Sequence, residues 1–379
     1  MKKNILIFSV VLLIIALIIC TSFYIIDTNR MNNNEPVLFS TWGKDYNLPV
    51  DDGKKDIKNE NIKIILSLED NIEDNSAWCG TFNLIWNDLK NELAKTDIVF
   101  TPQTKVVENL NKTTFNTSHL SEDSYYKIYG RPSLELKSKI EKDIKEKFNE
   151  KSNILEDFNW QNDGLDRYFL YAMLKKEFEF ENEFTELKLQ DFGKYKNVKY
   201  FGIDEKTDKI VRNQVKVLYY NSKDDFAIKL LTKNNDEVII SKGEDKDNFY
   251  EMYQEIITRS KNYDGETYFL NNDKLKIPCI SFNLKEQIKE VENKSFKFDN
   301  GREYTIEKAL QTIEFSLDKK GGKVKSEAGM MVKDNSIVID SNIPREFYVD
   351  DTFSIFLIEK EKKLPYLAAK ISDITCVQK

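Results

Sequence analysis

Histidine is almost missing from this sequence of 379 residues; His119 is the only one. Histidine-rich zinc sites are therefore excluded by count. Ser–His–Asp and Cys–His catalysis are left with one candidate, since each needs a histidine held by a partner. That candidate stands in "NTSHLSEDS", a polar stretch that reads as an exposed loop. Cysteine is scarce too. Cys20 falls in the apolar N-terminus, which leaves Cys79, Cys279 and Cys376, an odd number without metal-ligand spacing. They read as small buried hydrophobes, with one disulfide as the alternative. Neither a metal nor a cofactor is expected.

Positive charge in excess is also lacking. The net charge of −7 argues against nucleic acid as a partner, because that needs a cationic face to displace counterions. A phosphate loop is absent as well, since Gly321-Gly322-Lys323 lacks its spacing. Glu177, Glu179, Glu181 and Glu183 alternate with Phe178, Phe180 and Phe184 through "KKEFEFENEF". That is the pattern of a half-buried strand, not of a paired-carboxylate hydrolase. The chain is read as not an enzyme. Asn111 and Asn116 each open an Asn-x-Ser/Thr triplet, whose use depends on the host.

One thing the sequence has in full is a long apolar run. After Lys2 and Lys3 it stays apolar from Ile5 to Ile26, and 22 residues at about 1.5 Å each span roughly 33 Å, the thickness of a bilayer core. The run is long for a cleaved signal and has no clear small-residue cleavage site. Residues 1–4 are thus expected in the cytoplasm and 5–26 as a transmembrane anchor or uncleaved signal. The two lysines keep the N-terminus inside, so the body is expected outside the cell membrane on a single-pass tether. Residues 27–60, rich in Asn, Asp and Lys with Pro36 and Pro49, read as a linker. Residues 61–379 form the body, and 40% apolar against 32% charged residues suits one large globular domain.

Along that body, "TFNLIWNDLKNEL" sets Phe82, Ile85, Trp86, Leu89 and Leu93 on one helical face. "DIVFTPQT" is a short β-rich run stopped at Thr101-Pro102, where Thr101 can cap and Pro102 begin a helix. Leu136, Ile140, Ile144 and Phe148 recur every fourth position, and "NFYEMYQEIITR" is a further helix with Phe249, Met252, Tyr253 and Ile256 on one side. "RYFLYAML" is a strand, "NQVKVLYY" and "DFAIKLLTK" a hairpin, "EVIISK" a strand and "ETYFLNNDKLKIPCISFNL" extended. Helix and strand mix without a βαβ rhythm, which disfavours a doubly wound sheet.

In this order the pieces resemble the serpin family, over about residues 78 to 371. "FNLIWNDLKNELAKTDIVFTP" is similar to its first helix and following strand. "KSKIEKDIKEKFNEKSNILEDF" is similar to the helix crossing the large sheet. "RYFLYAMLKKEFEFENEF" is similar to its Asn-Ala strand, with Tyr171 for the Asn and Phe180 for the Trp. "NQVKVLYYNSKDDFAIKLLTKNND" resembles the hairpin, and "KLKIPCISFNLKEQIKEV" the Leu-Pro-Lys strand and helix. "EKALQTIEFSLDKKG" resembles the strand entering the reactive loop, and "REFYVDDTFSIF" the closing signature, with Phe347, Asp350 and Phe353 matching and Thr352 for Pro. The resemblance implies an α+β, serpin-like fold. It has a large mixed β-sheet plus smaller β-sheets or a barrel with surrounding helices, in a single large domain.

It also implies a loop after Asp318 that a protease cleaves and that then inserts as an extra strand, with Gly321, Gly322, Val324, Ser326 and Ala328 as its hinge. An inserted strand must show small or apolar residues at one parity. Gly322, Val324, Ser326, Ala328 and Met330 do so, while Lys323, Lys325 and Glu327 take the other. Cleavage is expected around Met331, Lys333 and Asn335. The function so implied is inhibition of a serine or cysteine protease as a suicide substrate. The alternative is a non-inhibitory binding module of the same fold at the cell surface, with an extracellular protein as partner. Two departures favour that alternative: the hinge lacks the family's run of alanines, and only about thirty residues separate Pro102 from Leu136.

Overall fold

The protein is described from a computed structural model covering residues 61–161, 166–322 and 344–378. The chain divides into two compact units, Met1–Ile57 and Lys58–Lys379. The described residues all belong to the second. The expectations for residues 1–4, 5–26 and 27–60 lie outside them. So do Val324, Ser326, Ala328, Met331, Lys333 and Asn335.

The body is mixed α+β with one large sheet, smaller sheets and a few helices. The largest sheet has seven strands in the order β1 (Lys63–Ile65), β2 (Ser76–Cys79), β21 (Leu367–Ile371), β20 (Phe353–Glu359), β12 (Asp236–Lys242), β11 (Asp225–Leu231) and β10 (Val215–Ser222). Only the β1–β2 pair is parallel. β20, "FSIFLIE", lies in its middle with all its residues buried, so both its faces are covered and its apolar run is unbroken. One cover is α5 (Phe249–Asn262), which starts where the Asn248 side chain accepts from the Glu251 amide at 2.8 Å. Its Phe249 and Tyr253 rings meet Phe356, at 6.1 and 5.6 Å.

A four-stranded sheet runs β19 (Glu346–Tyr348), β13 (Lys274–Pro278), β9 (Tyr200–Ile203), β6 (Thr185–Glu186), with α4 (Lys209–Arg212) beyond β9. Another runs β14 (Ile280–Gln287), β17 (Leu310–Asp318), β18 (Gly321–Gly322), β5 (Phe178–Glu179). Three two-stranded sheets complete the set: β3 (Tyr125–Gly130) with β4 (Phe169–Leu174), β7 (Gln190–Phe192) with β8 (Tyr195–Val198), and β15 (Ser295–Lys297) with β16 (Glu303–Thr305).

Helix α1 (Thr81–Asp88) continues as a π-helix over Leu89–Ala94. Phe82 and Trp86 of its expected face are buried, and so is Leu84 from outside that face. Helix α3 (Leu134–Phe148) covers β3 and β4 over a satellite core of its own, in which Ile140 and Ile144 meet Trp160, Phe169 and Tyr171.

Five expectations are corrected. No strand forms over "DIVF", and Thr101-Pro102 is a cis bend. Helix α2 (Lys105–Asn111) starts three residues later, because the Thr104 side chain accepts from the Val107 amide there. "KEQIKEV" is not a helix: β14 runs on to Gln287, opposite Leu310, and turns follow. The ladder wins because Ile280, Phe282 and Leu284 alternate inward. His119 is half-buried rather than exposed, stacked on Phe115 at 5.4 Å and accepting from the Asn116 amide at Nδ1. Burial lowers its pKa. "KKEFEFENEF" forms a strand only at β5, although Phe178, Phe180 and Phe184 are all buried.

Candidate functional site

The site sits where β17 turns back on itself. β18 pairs antiparallel with β17, Leu317 opposite Gly322 and Asp318 opposite Gly321. On its other edge it pairs antiparallel with β5, Gly322 opposite Phe178 and Gly321 opposite Glu179. The first two residues of the predicted hinge thus already lie between two strands of one sheet. Glycine is needed at both positions. Gly321 has φ +143°, and a Cβ there would stand 2.2 Å from the Phe178 carbonyl oxygen. A Cβ on Gly322 would stand 2.6 Å from Phe178 Cζ.

Cross-strand neighbours share a face. Gly322 shares its row with Leu317 and Phe178, both buried, whereas Gly321 shares one with Asp318 and the exposed Glu179. Gly322 thus lies in a row with two buried side chains, and the residues that would continue the parity lie outside the described residues. A cavity of about 1200 Å³ lies nearby, lined by Phe178 and Ser316 among others. Its two edges are the segment from Tyr168 to Phe178, which includes β4 and β5, and β17. The apolar face of α1 lines it through Phe82, Ile85 and Trp86.

Two polar ties hold the edges of this slot. Gln311 on β17 is 3% exposed; its Nε2 donates to the Cys79 carbonyl at 3.0 Å and to Thr81 Oγ1 at 3.3 Å, while its Oε1 has no partner. That fixes β17 to the junction of β2 and α1. On the opposite edge, Lys176 lies between β4 and β5 and turns inward. Its Nζ is 2.9 Å from Glu359 Oε1 and 3.1 Å from Asp236 Oδ1, at the ends of β20 and β12. Glu359 is wholly buried and also accepts from the Ser121 amide at 2.9 Å and Ser124 Oγ at 2.9 Å. Burial pushes the Glu359 carboxyl up, but the Ser121 bonds and Lys176 outweigh it and leave its pKa lowered. Asp236, with less help, is raised by burial.

The chain returns from residues 323–343 at Arg345, which is clamped. Its Nη2 is 2.7 Å from Asp273 Oδ2 and donates to the Tyr268 carbonyl at 2.6 Å, and its Nη1 donates to the Glu266 carbonyl at 2.6 Å. Asp273 is 1% exposed. The closing signature follows directly. Phe347 is buried against Tyr220, Phe226 and Phe269, at 4.8, 5.3 and 5.3 Å. Asp350 bridges Lys242 at 2.8 Å and Lys276 at 3.2 Å; burial pushes its pKa up, but the two lysines outweigh that and lower it.

Of the hinge residues, Gly321 and Gly322 head the slot. Sequence reasoning missed Lys176, Asp236, Glu359, Gln311 and the Arg345–Asp273 pair. Lys176 alone carried a signal, as the one charge at the inward parity shared by Leu174 and Phe178. The Asn111 side chain is engaged at both ends, by Trp86 Nε1 at 3.1 Å and the Ile98 carbonyl at 2.8 Å. Cys79, Cys279 and Cys376 are free, and only Cys279 is partly exposed. Among the described residues no cluster of His, Cys, Asp and Glu is placed to hold a metal.

No protein-family model and no curated protein matches this sequence. Solved structures do. The chain is similar to Serpin48, a serpin of the insect Tenebrio molitor, at 12% identity and a TM-score of 0.43, over 80% of this chain and 92% of that one. It is similar to Tengpin, a thermophilic serpin, at 15% and 0.43, over 80% and 89%. It is likewise similar to human kallistatin at 9% and 0.45, over 79% and 91%. Serpin48 and Tengpin are serpins, so solved serpins are among the structures this chain is similar to.

Proposed function

We propose that this chain is a serpin-like protease inhibitor, a suicide substrate for a serine or cysteine protease, acting through the loop after Asp318. The body works outside the cell, tethered through residues 5–26. The observation that carries this reading is the start of an antiparallel strand at Gly321–Gly322 between β17 and β5, with a cavity lined by residues of both. A strand entering there gains two ladders of backbone hydrogen bonds and buries one of its faces. That free energy drags an acylated protease away from its working geometry. The partner class is a protease, whose serine or cysteine takes the acyl carbonyl as an ester or thioester while the scissile peptide bond breaks and frees the new amino terminus; the chain supplies no catalytic group.

The test uses the full chain with a panel of serine and cysteine proteases. The expected product is a complex that survives boiling in detergent, with a cut between Met331 and Asn335. A trypsin-like protease should cut after Lys333. Clean cleavage by every protease, without a trapped complex, removes the inhibitory reading. A second reading is a non-inhibitory binding module of the same fold. It is favoured by the β-branched Val324, stiffer than alanine, and by the absent alanine run. Under it, loop cleavage leaves the thermal midpoint unchanged.

A further inference from the structure

The large cavity lies at the seam between the two apolar cores. Its lining draws on both, with Phe82, Trp86 and Ile313 from the main core and Phe158, Phe169 and Tyr171 from the satellite core and its edge. Ile85 and Leu89 of α1 and Met173 of β4 also line it, and these three are only half-buried. Apolar surface thus faces the cavity from both sides, and covering that surface is favourable. At about 1200 Å³ the space exceeds the roughly 300–1,000 Å³ of ordinary small-molecule sites. That suits a flexible chain better than a compact ring system.

The cations of the lining differ in how they are matched. Lys175 pairs with Glu150 at 2.6 Å, Lys176 with Glu359 at 2.9 Å, Arg167 with Glu307 at 3.1 Å and Arg302 with Asp166 at 3.3 Å. Lys308 is half-buried and, among the described residues, has no carboxylate partner. Its Nζ donates to the Asp157 carbonyl at 2.8 Å and stands 5.8 Å from the centre of the Phe158 ring. The Asp157 carboxylate itself is taken by Lys285 at 2.6 Å. An ammonium carries three protons, so two on Lys308 are open to a ligand at the aromatic edge of the apolar space.

We propose that this cavity binds a free fatty acid, its chain against Ile85, Leu89 and Met173 and its carboxylate on Lys308. The ligand is a dissolved monocarboxylate rather than a bilayer lipid, because the receiving cation is half-buried in a cavity wall and not part of an exposed basic cluster of the kind that meets a membrane surface. A chain seated there touches both cores and opposes their separation. The site belongs to the uncut protein and stands apart from the insertion reading.

The experiment titrates the uncut full chain calorimetrically with octanoate, decanoate, 1-decanol and decyltrimethylammonium, each below its micelle concentration. Hydrogen exchange is followed in α3, β4 and β20 with and without decanoate. Decanoate should bind about fifteenfold more tightly than octanoate, from two further buried methylenes, and decyltrimethylammonium more weakly than decanoate. Lys308→Gln should weaken decanoate about tenfold, the loss of one charge-assisted hydrogen bond, and leave 1-decanol within about twofold. Bound decanoate should slow exchange in α3 and β4 more than in β20. Ala172→Phe, which fills the cavity, should abolish binding; if it fails to fold, Lys308→Gln carries the test alone. Unchanged decanoate affinity in Lys308→Gln, or cation binding as tight as that of decanoate, overturns the carboxylate site. No binding by any chain, or protection confined to β20, overturns the cavity as a ligand site. Each outcome reads the same whether or not a protease is trapped, so the inhibitory reading stands or falls separately.

Discussion

Lys176 shows how much one side chain can carry. Among the described residues it is the only cation bridging Asp236 and the wholly buried Glu359, and it joins the β4–β5 segment to the seven-stranded sheet. Lys176→Met leaves two buried carboxylates without a counter-charge, and we expect a loss of about 3–5 kcal/mol in urea unfolding. A change below 1 kcal/mol would show that the cluster is not a tie. At Gly321 the cost is one of backbone. With φ +143° and the Phe178 carbonyl 2.2 Å from any Cβ, Gly321→Val is expected to cost about 1–3 kcal/mol and to slow any stabilisation that follows loop cleavage.

Asp70 gives a pH signature at the same scale. Burial raises it from 3.8 to about 6, against the opposing bonds from Asn109 and Ser67. The folded chain then holds this proton more tightly than the unfolded one. Stability is highest below the ordinary value, falls as pH rises toward the raised one, and stays lower beyond it. A rise of that size corresponds to about 3 kcal/mol. The lowered Glu359 works oppositely, losing its contribution as pH falls through its lowered pKa. Unfolding free energies between pH 4 and 8 should decline in wild type and lie flatter in Asp70→Asn. Equal slopes would overturn the assignment.

Among elements, β17 and the β4–β5 segment are the two that matter, and each is anchored differently. β17 pairs along its whole length with β14 and is tied to α1 through Gln311. Among the described residues β4 pairs only with β3, and its Phe169 and Tyr171 belong to the satellite core under α3. That core is separate from the main one, so α3, β3 and β4 form a patch able to loosen apart from the rest. Trp160→Ala is expected to cost about 3–5 kcal/mol and to speed hydrogen exchange in α3 and β4 before β17 or β20. Exchange that rises evenly across the body would show the two cores to be one cooperative unit. The expectation of a helix over "KEQIKEV" failed at this scale. Its Lys and Glu content suits a helix, but the β14 ladder opposite β17 had already been extended to Gln287.

For the whole molecule, stability is the sum of a large aromatic core and three free cysteines that contribute packing alone. Reducing agent should shift the urea midpoint by less than about 0.5 kcal/mol; a larger shift would reveal a disulfide. Much of the architecture was legible along the chain, because alternation and helical spacing are local properties. "DFAIKLL", "DEVIISK" and "FSIFLIE" became the middle strands β11, β12 and β20, and "LELKSKIEKDIKEKF" became α3. The hinge parity lies beyond Gly322, outside the described residues.

Sequence by itself thus determined the elements, their order and the small residues where the chain doubles back at Gly321–Gly322. Only the tertiary structure decided that β5 closes on β18 from the other side, that a cavity separates β4 from β17, and that Lys176 meets Glu359 across 183 positions of chain. The physical reason is range. A side-chain period is set by neighbours a few residues away, whereas the spacing of two strand edges and the pairing of buried charges depend on how distant segments close over one core.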